Sequence, residues 1–268
     1  MQKYFLLLLL TLLTACQPTN HGAQSDADET SEEIVGGSTI TGLDSISKHL
    51  VFIYSEHDYN YCTGTIIAPN LILTAAHCVR NTSETLAIGF GMDYTTGKME
   101  VRYSQGAIKH SKHNSNSVAE RNDIALIRFS GSLPLGFSPA PLATAQVAAK
   151  INAEILAVGF GRVTGKPTTS VADSGYGRLR KVAIKIQNLT SNKKTFVVSQ
   201  KDGRGICYGD SGGPAFLKVS GKYYLVGVTS AVTWYVPKKS VYDFCKEHSL
   251  FMNVQTYLPW IKASSSKL

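Results

Sequence analysis

The sequence lacks most of what would place it among membrane, nucleic-acid-binding or disordered proteins. Its one strongly apolar N-terminal run, Tyr4 to Leu13, is interrupted by Thr11 and is too short to anchor in a bilayer. No basic run interleaves with aromatics, which argues against a nucleic-acid partner. No internal repeat stands out, and no cofactor or metal motif is recognisable. Long helical patterns are missing except near Val254–Lys262, where Tyr257, Leu258 and Ile261 share one side and Pro259 falls inside. Acid is scarce beyond Glu33. Of 19 Asp and Glu residues, Asp26, Asp28, Glu29, Glu32 and Glu33 precede Ile34, whereas among the 27 Lys and Arg residues only Lys3 does. Residues 34–268 therefore hold 26 basic against 14 acidic side chains, a net +12. That balance steers anionic surfaces or acidic substrates toward the chain.

The N-terminus reads as an address. Lys3 followed by the short apolar run has the anatomy of a secretory signal, residues 1–15. The stretch Leu13-Thr14-Ala15-Cys16 resembles the lipobox of bacterial lipoproteins, which implies removal of the signal and a lipid on Cys16. An ordinary signal peptide with Cys16 incidental is the alternative. Residues 16–33 are polar and acidic and cannot offset the entropy of ordering, so they read as a disordered tether or propeptide. Apolar patterning begins at Ile34-Val35-Gly36-Gly37.

Setting Cys16 aside, Cys62, Cys78, Cys207 and Cys245 remain. Four cysteines in an exported chain suggest two disulfides, with three possible pairings. The rest of the chain is built of short apolar runs between Gly, Pro, Asn and Ser. Examples are Leu50–Tyr54, Leu71–Thr74, Ile124–Phe129, Val182–Ile186 and Tyr223–Val228. Many short strands without long helices between them point to an all-β barrel or sandwich. Gly131–Lys150, with three prolines, reads as a crossing between two strand-rich halves.

Cys207-Tyr208-Gly209-Asp210-Ser211-Gly212-Gly213-Pro214 must turn sharply, since half its residues are Gly or Pro. It carries one serine beside N–H groups able to face an oxyanion. A serine needs a base. Of the histidines at 49, 57, 77, 110, 113 and 248, His77 has the distinctive context, at the end of an apolar strand and next to Cys78. Asp123 opens the apolar run Ile124–Phe129. A carboxylate partly buried there needs a partner, and a histidine Nδ1–H would serve.

Together, TAAHC (residues 74–78), NDIAL (122–126) and GDSGGP (209–214), in the order His, Asp, Ser, resemble the trypsin/chymotrypsin family of serine proteases. The resemblance spans Ile34 to Leu268. It implies two six-stranded antiparallel Greek-key β-barrels, about 34–140 and 150–253, and a C-terminal helix at about 254–263. It implies a serine endopeptidase acting on protein or peptide substrates, monomeric, with neither metal nor cofactor. Ser211 would be the nucleophile, His77 the base and Asp123 its orienting acid, with Gly209 and Ser211 N–H groups as the oxyanion hole. Ser230 matches the family serine that hydrogen-bonds the aspartate. The implied disulfides are Cys62–Cys78 and Cys207–Cys245. The G-x-S-x-G pattern of α/β-hydrolases also fits, but it requires the acid and histidine after the serine, on a helix-rich sheet. A protease fold that binds without catalysing is the other alternative; the filled triad positions argue against it.

Two further expectations follow from the resemblance. Cleavage before Ile34 would create an ammonium that pairs with Asp210 and orders the Gly209 turn. If Cys16 is lipidated, the same cut would release the enzyme from its anchor. At the specificity pocket, Gly205 stands where trypsin carries an aspartate, Val232 falls on one wall and Ser249 on the other. That set favours small or medium aliphatic residues before the scissile bond, as in elastase, unless Asp243 reaches into the pocket.

Overall fold

Alternation along the chain decides which face of each strand is buried. In the strand Arg180–Leu189, Val182, Ile184 and Ile186 are buried while Lys185 and Gln187 are exposed, the period-2 signature of a sheet with one wet face. The computed structural model describes residues 34–42, 44–167, 174–233 and 243–268. The expected signal peptide, Cys16 and the acidic tether lie outside the described residues, as does most of the stretch between Thr233 and Phe244.

Strands β2 (Leu50–Ser55), β3 (Asn60–Ala68), β4 (Leu71–Thr74), β5 (Ala87–Phe90), β6 (Glu100–Lys109) and β7 (Ala125–Phe129) close into one antiparallel barrel, in the order β2-β3-β4-β7-β6-β5. A second ring follows from β8 (Glu154–Gly159), β9 (Arg180–Leu189), β10 (Thr195–Ser199), β11 (Pro214–Val219), β12 (Lys222–Thr233) and β13 (His248–Asn253). Its order is β9-β10-β13-β12-β11-β8, and pairing of β8 with β9 closes it. Closure leaves no row of unpaired backbone groups, which is how short antiparallel strands avoid exposed edges. The fold is therefore the expected pair of six-stranded barrels.

One boundary differs. The two-residue strand β1 (Ser38–Thr39) pairs with β9 of the second barrel, although residues from 34 onward were expected to belong with the first. The N-terminal segment thus reaches across to the half that carries Ser211.

Phe52, Phe129, Phe160, Phe196, Phe216 and Phe251 are all fully buried. Each contributes roughly 1.5–3 kcal/mol by burial, against about 0–1 kcal/mol for an exposed ion pair, so the ring-filled interiors hold the barrels together. Strand β4 is buried at all four positions because it is covered on both faces. It packs inside its own barrel and against β12 of the other, as β3 does against β11. The C-terminal helix α1 (Val254–Ser265) continues through Pro259 and runs two residues beyond its expected end. Val254, Tyr257 and Ile261 form its buried stripe.

Candidate active site

The seam between the barrels holds the serine turn. Gly209 has φ +95°, and a Cβ there would overlap the Tyr61 ring, so only glycine fits. The turn is tied to both barrels by backbone. Thr63 N–H of β3 donates to the Ser211 carbonyl at 2.8 Å, while Gly212 N–H donates to the Thr229 carbonyl of β12 at 2.8 Å. The Thr63 side chain adds a second tie. Its buried hydroxyl donates to the Gly209 carbonyl at 3.0 Å and accepts from Phe160 N–H at 3.1 Å. Among the described residues, the N–H groups of Gly209 and Ser211 have no acceptor. Ser211, Gly209, His77 and Tyr208 line a common cleft of about 460 Å³.

His77 sits in a single 3-10 turn, Ala76–Cys78, directly after β4. Its ring is partly exposed, whereas Asp123 is fully buried. Asp123 holds the histidine twice: Oδ1 accepts from His77 N–H at 2.9 Å, and Oδ2 meets Nδ1 at 2.8 Å. Ser230 Oγ donates to the same Oδ2 at 2.5 Å. Burial alone would raise the Asp123 pKa. The hydrogen bonds and charge of His77, with the Ser230 hydroxyl, outweigh it and bring the value down to about 2. The acid is an anion at any physiological pH.

The chain sets Asp123 in place through its neighbour. Asn122 is buried with φ +45°, a conformation asparagine tolerates better than most residues. Its amide donates to the carbonyls of Lys112 and Glu120, and its oxygen accepts from the Tyr257 hydroxyl of α1 at 3.0 Å. Two cationic-type side chains also face the acid. His113 Nε2 lies 3.4 Å from Oδ1, and Arg121 Nε lies 3.8 Å from Oδ2 while donating to Ser230 Oγ at 2.6 Å. Burial, more than any neighbour, holds the His113 pKa below its ordinary value.

Asp210 is fully buried behind the serine. Its carboxylate accepts from Gly161 N–H at 2.8 Å and Cys207 N–H at 2.7 Å. Desolvation prevails over these bonds and over Arg180 nearby, and pushes its pKa up to about 7. Ile34 is also fully buried, and the next carbonyl, Val35, accepts from Gly205 N–H at 2.9 Å.

Disulfides join Cys62 to Cys78 and Cys207 to Cys245. Cys62, His77 and Cys78 cluster closely, but the bridge leaves no thiolate there to ligate a metal. Val232 and Ser249 are cross-strand partners on β12 and β13, and Val232 packs on Cys207, Cys245 and Val35. The Asp243 carboxylate is engaged by three donors of its own: it accepts from Gly165 N–H at 2.7 Å, Cys245 N–H at 3.0 Å and the Thr164 hydroxyl at 3.1 Å. It caps the 3-10 turn Phe244–Lys246. Thr63, Arg121 and Gln200 were not singled out in the sequence, His113 appeared only among the histidines, and Tyr257 only as part of the helix face.

The trypsin family model matches residues 34–261. The chain is 31% identical to chymotrypsin-like elastase family member 1 of Homo sapiens, across 90% of this chain and 95% of the relative. It is 30% identical to trypsin Blo t 3 of Blomia tropicalis, across 97% of both, and 30% identical to proproteinase E of Bos taurus, across 76% of this chain and 83% of the relative. A match of this extent, on a fold of two closed barrels with the serine turn at their seam, means that the chain belongs to the trypsin family of serine endopeptidases.

Proposed function

We propose that the protein hydrolyses peptide bonds through Ser211, His77 and Asp123. The observation that carries this reading is the doubly held histidine: a fully buried Asp123 carboxylate accepts from both the backbone N–H and the ring Nδ1 side of His77. That leaves Nε2 to act on Ser211. His77 takes the hydroxyl proton as Ser211 Oγ attacks the scissile carbonyl. The resulting oxyanion accepts from Gly209 and Ser211 N–H, each worth roughly 3–4 kcal/mol of transition-state stabilisation. The C–N bond then breaks as His77 hands its proton to the leaving amine. Water, deprotonated by the same histidine, attacks the acyl ester, and Ser211 leaves with the proton. Asp123 holds the tautomer and stabilises the imidazolium throughout.

Activity follows cleavage between Glu33 and Ile34. Ile34 has φ +29°, unfavourable for a β-branched residue, and cutting its N-terminal peptide bond abolishes that dihedral. The released ammonium then neutralises Asp210, the buried acid that otherwise holds its proton to about pH 7. The name of one relative, proproteinase E, fits a precursor of this kind. Gly205 and Val232 favour small or medium aliphatic residues before the scissile bond, in keeping with the elastase relatives. Two disulfides suit an exported enzyme. A lipid on Cys16 would tether the precursor, and the activating cut would free it. Active enzyme still carrying Cys16 in the same chain would refute that release.

The test is labelling with a fluorophosphonate probe. The chain cut before Ile34 should take up one probe per molecule, and the Ser211→Ala variant none. No labelling of the cut wild-type chain would reject catalysis in favour of a binding protein on the protease fold.

A further inference from the structure

We propose that Gln200 forms the floor of the primary specificity pocket and sets the length of side chain that it accepts. The inference rests on the endopeptidase reading above and concerns a residue outside the serine turn and the pocket walls.

Gln200 follows β10 and is fully buried. Its backbone N–H donates to the Glu247 carbonyl at 2.8 Å, which fixes it beside the start of β13. Its side chain lies against Gly205: a Cβ built on Gly205 would overlap Cγ, Cδ and Oε1 of Gln200. The space into which a side chain at 205 would project is therefore already filled, from the neighbouring strand end.

The amide is saturated. Nε2 donates to the carbonyls of Ile206 at 3.0 Å and Cys245 at 2.6 Å. Oε1 accepts from Ile206 N–H at 2.9 Å and from the Ser249 hydroxyl. A primary amide offers two donors and two acceptor lone pairs, so none remains for a substrate. Four groups from both sides of the Cys207–Cys245 bridge converge on it. Breaking them would strand buried polar atoms, which keeps the floor from swinging aside. The floor is neutral and closed. It offers no charge to Lys, Arg, Asp or Glu, and no depth to Phe or Leu.

The experiment measures kcat/KM on peptide nitroanilides ending in Ala, Val, Leu, Met, Phe or Lys. It uses the cut wild-type enzyme, Gln200→Ala, Gly205→Asp and the double variant. Active sites are counted by fluorophosphonate titration, so a missing nucleophile, which would sink the endopeptidase reading, is separated from altered selectivity. Wild type should favour Ala and Val. Q200A should raise Leu, Met and Phe relative to Ala by about tenfold or more, the scale on which a pocket discriminates methylenes. G205D alone should gain no Lys cleavage, because Gln200 leaves its carboxylate no room, whereas the double variant should gain it. A Q200A enzyme that titrates fully and keeps the wild-type ranking overturns the proposal, as does Lys cleavage by G205D alone. If Q200A does not fold, Gln200→Asn, which keeps the amide but shortens it by one methylene, carries the same comparison. If neither folds, wild-type cleavage after Phe or Leu within tenfold of Ala overturns it, and a larger gap supports it.

Discussion

The activation proposed above predicts that Asp210 makes the uncut chain sensitive to pH in a way the cut chain should not be. The perturbation is the Glu33–Ile34 bond itself, compared intact and cut in a Ser211→Ala background that prevents autolysis. In the intact chain the folded state holds the Asp210 proton to about pH 7, while the unfolded chain releases it near 3.8. Across that window the folded chain binds more protons than the unfolded one, so its stability falls as pH rises. At up to about 1.4 kcal/mol per pH unit, and about half that at each end of the window, the loss between pH 4 and 7 is about 3 kcal/mol. That is a large share of the roughly 5–15 kcal/mol that holds a domain folded. In the cut chain, the Ile34 ammonium favours the carboxylate, its folded pKa drops, and this loss disappears. Urea unfolding at constant ionic strength, followed by intrinsic fluorescence from pH 4 to 7.5, reads the difference between the two forms. The cut also adds the Ile34 ammonium, protonated below about pH 7, and a Glu33 α-carboxylate, ionised above about pH 4, so neither contributes a large slope between about pH 4 and 7; the side chains common to both forms cancel. With urea slopes of about 1–3 kcal/mol per molar, the relative midpoint shift is on the order of 1 M or more. Identical pH dependence of the two forms would refute the argument.

Three other outcomes can be checked directly. Thr63→Val keeps the shape of the side chain but leaves the Gly209 carbonyl and Phe160 N–H without their partner, so kcat should fall about tenfold and stability by about 1–3 kcal/mol, read by titrated kinetics and urea unfolding. Asp123→Asn should lower kcat by about four orders of magnitude at neutral pH with little change in fold, because the amide presents the wrong partner to Nδ1; activity within tenfold of wild type would count against the triad. Tyr257→Phe removes the hydroxyl that holds Asn122, and should cost about 1 kcal/mol of stability together with a kcat loss larger than any change in KM, measured on the same substrates.

What was legible in the sequence was what is local. His77 and Asp123 each stand at the end of an apolar run, and the strands that carry them could be read from β-branched residues between turn formers. That pattern left barrel or sandwich open, and the pair of barrels followed from a resemblance carried by three short motifs. What was not legible depends on pairs distant in sequence. Thr63 reads as one more β-branched residue in a strand, yet its hydroxyl serves Gly209, 146 positions away. Gln200 sits in Ser-Gln-Lys-Asp-Gly, an ordinary turn sequence, and its role appears only when β10 and β13 bring it under Gly205. Asp243 was left open in the sequence as an acid able to reach the pocket; its role as N-cap of the turn Phe244–Lys246, with Gly165 and Thr164 as further donors, depends on a partner segment 78–79 positions away.

The backbone ties at Ser211 and Gly212 have a practical consequence. One is anchored by β3 and the other by β12, so Ser211 is positioned by two barrels that, among the described residues, share no sheet. Severing the chain within residues 130–153 would put His77 and Asp123 on one fragment and Ser211 on the other. On the triad proposed above, neither piece would hydrolyse a peptide, and turnover would return only when the halves dock in register. Such a pair is a design for a complementation reporter: fused to two candidate partners, it would convert their encounter into a signal that each molecule of reassembled enzyme amplifies.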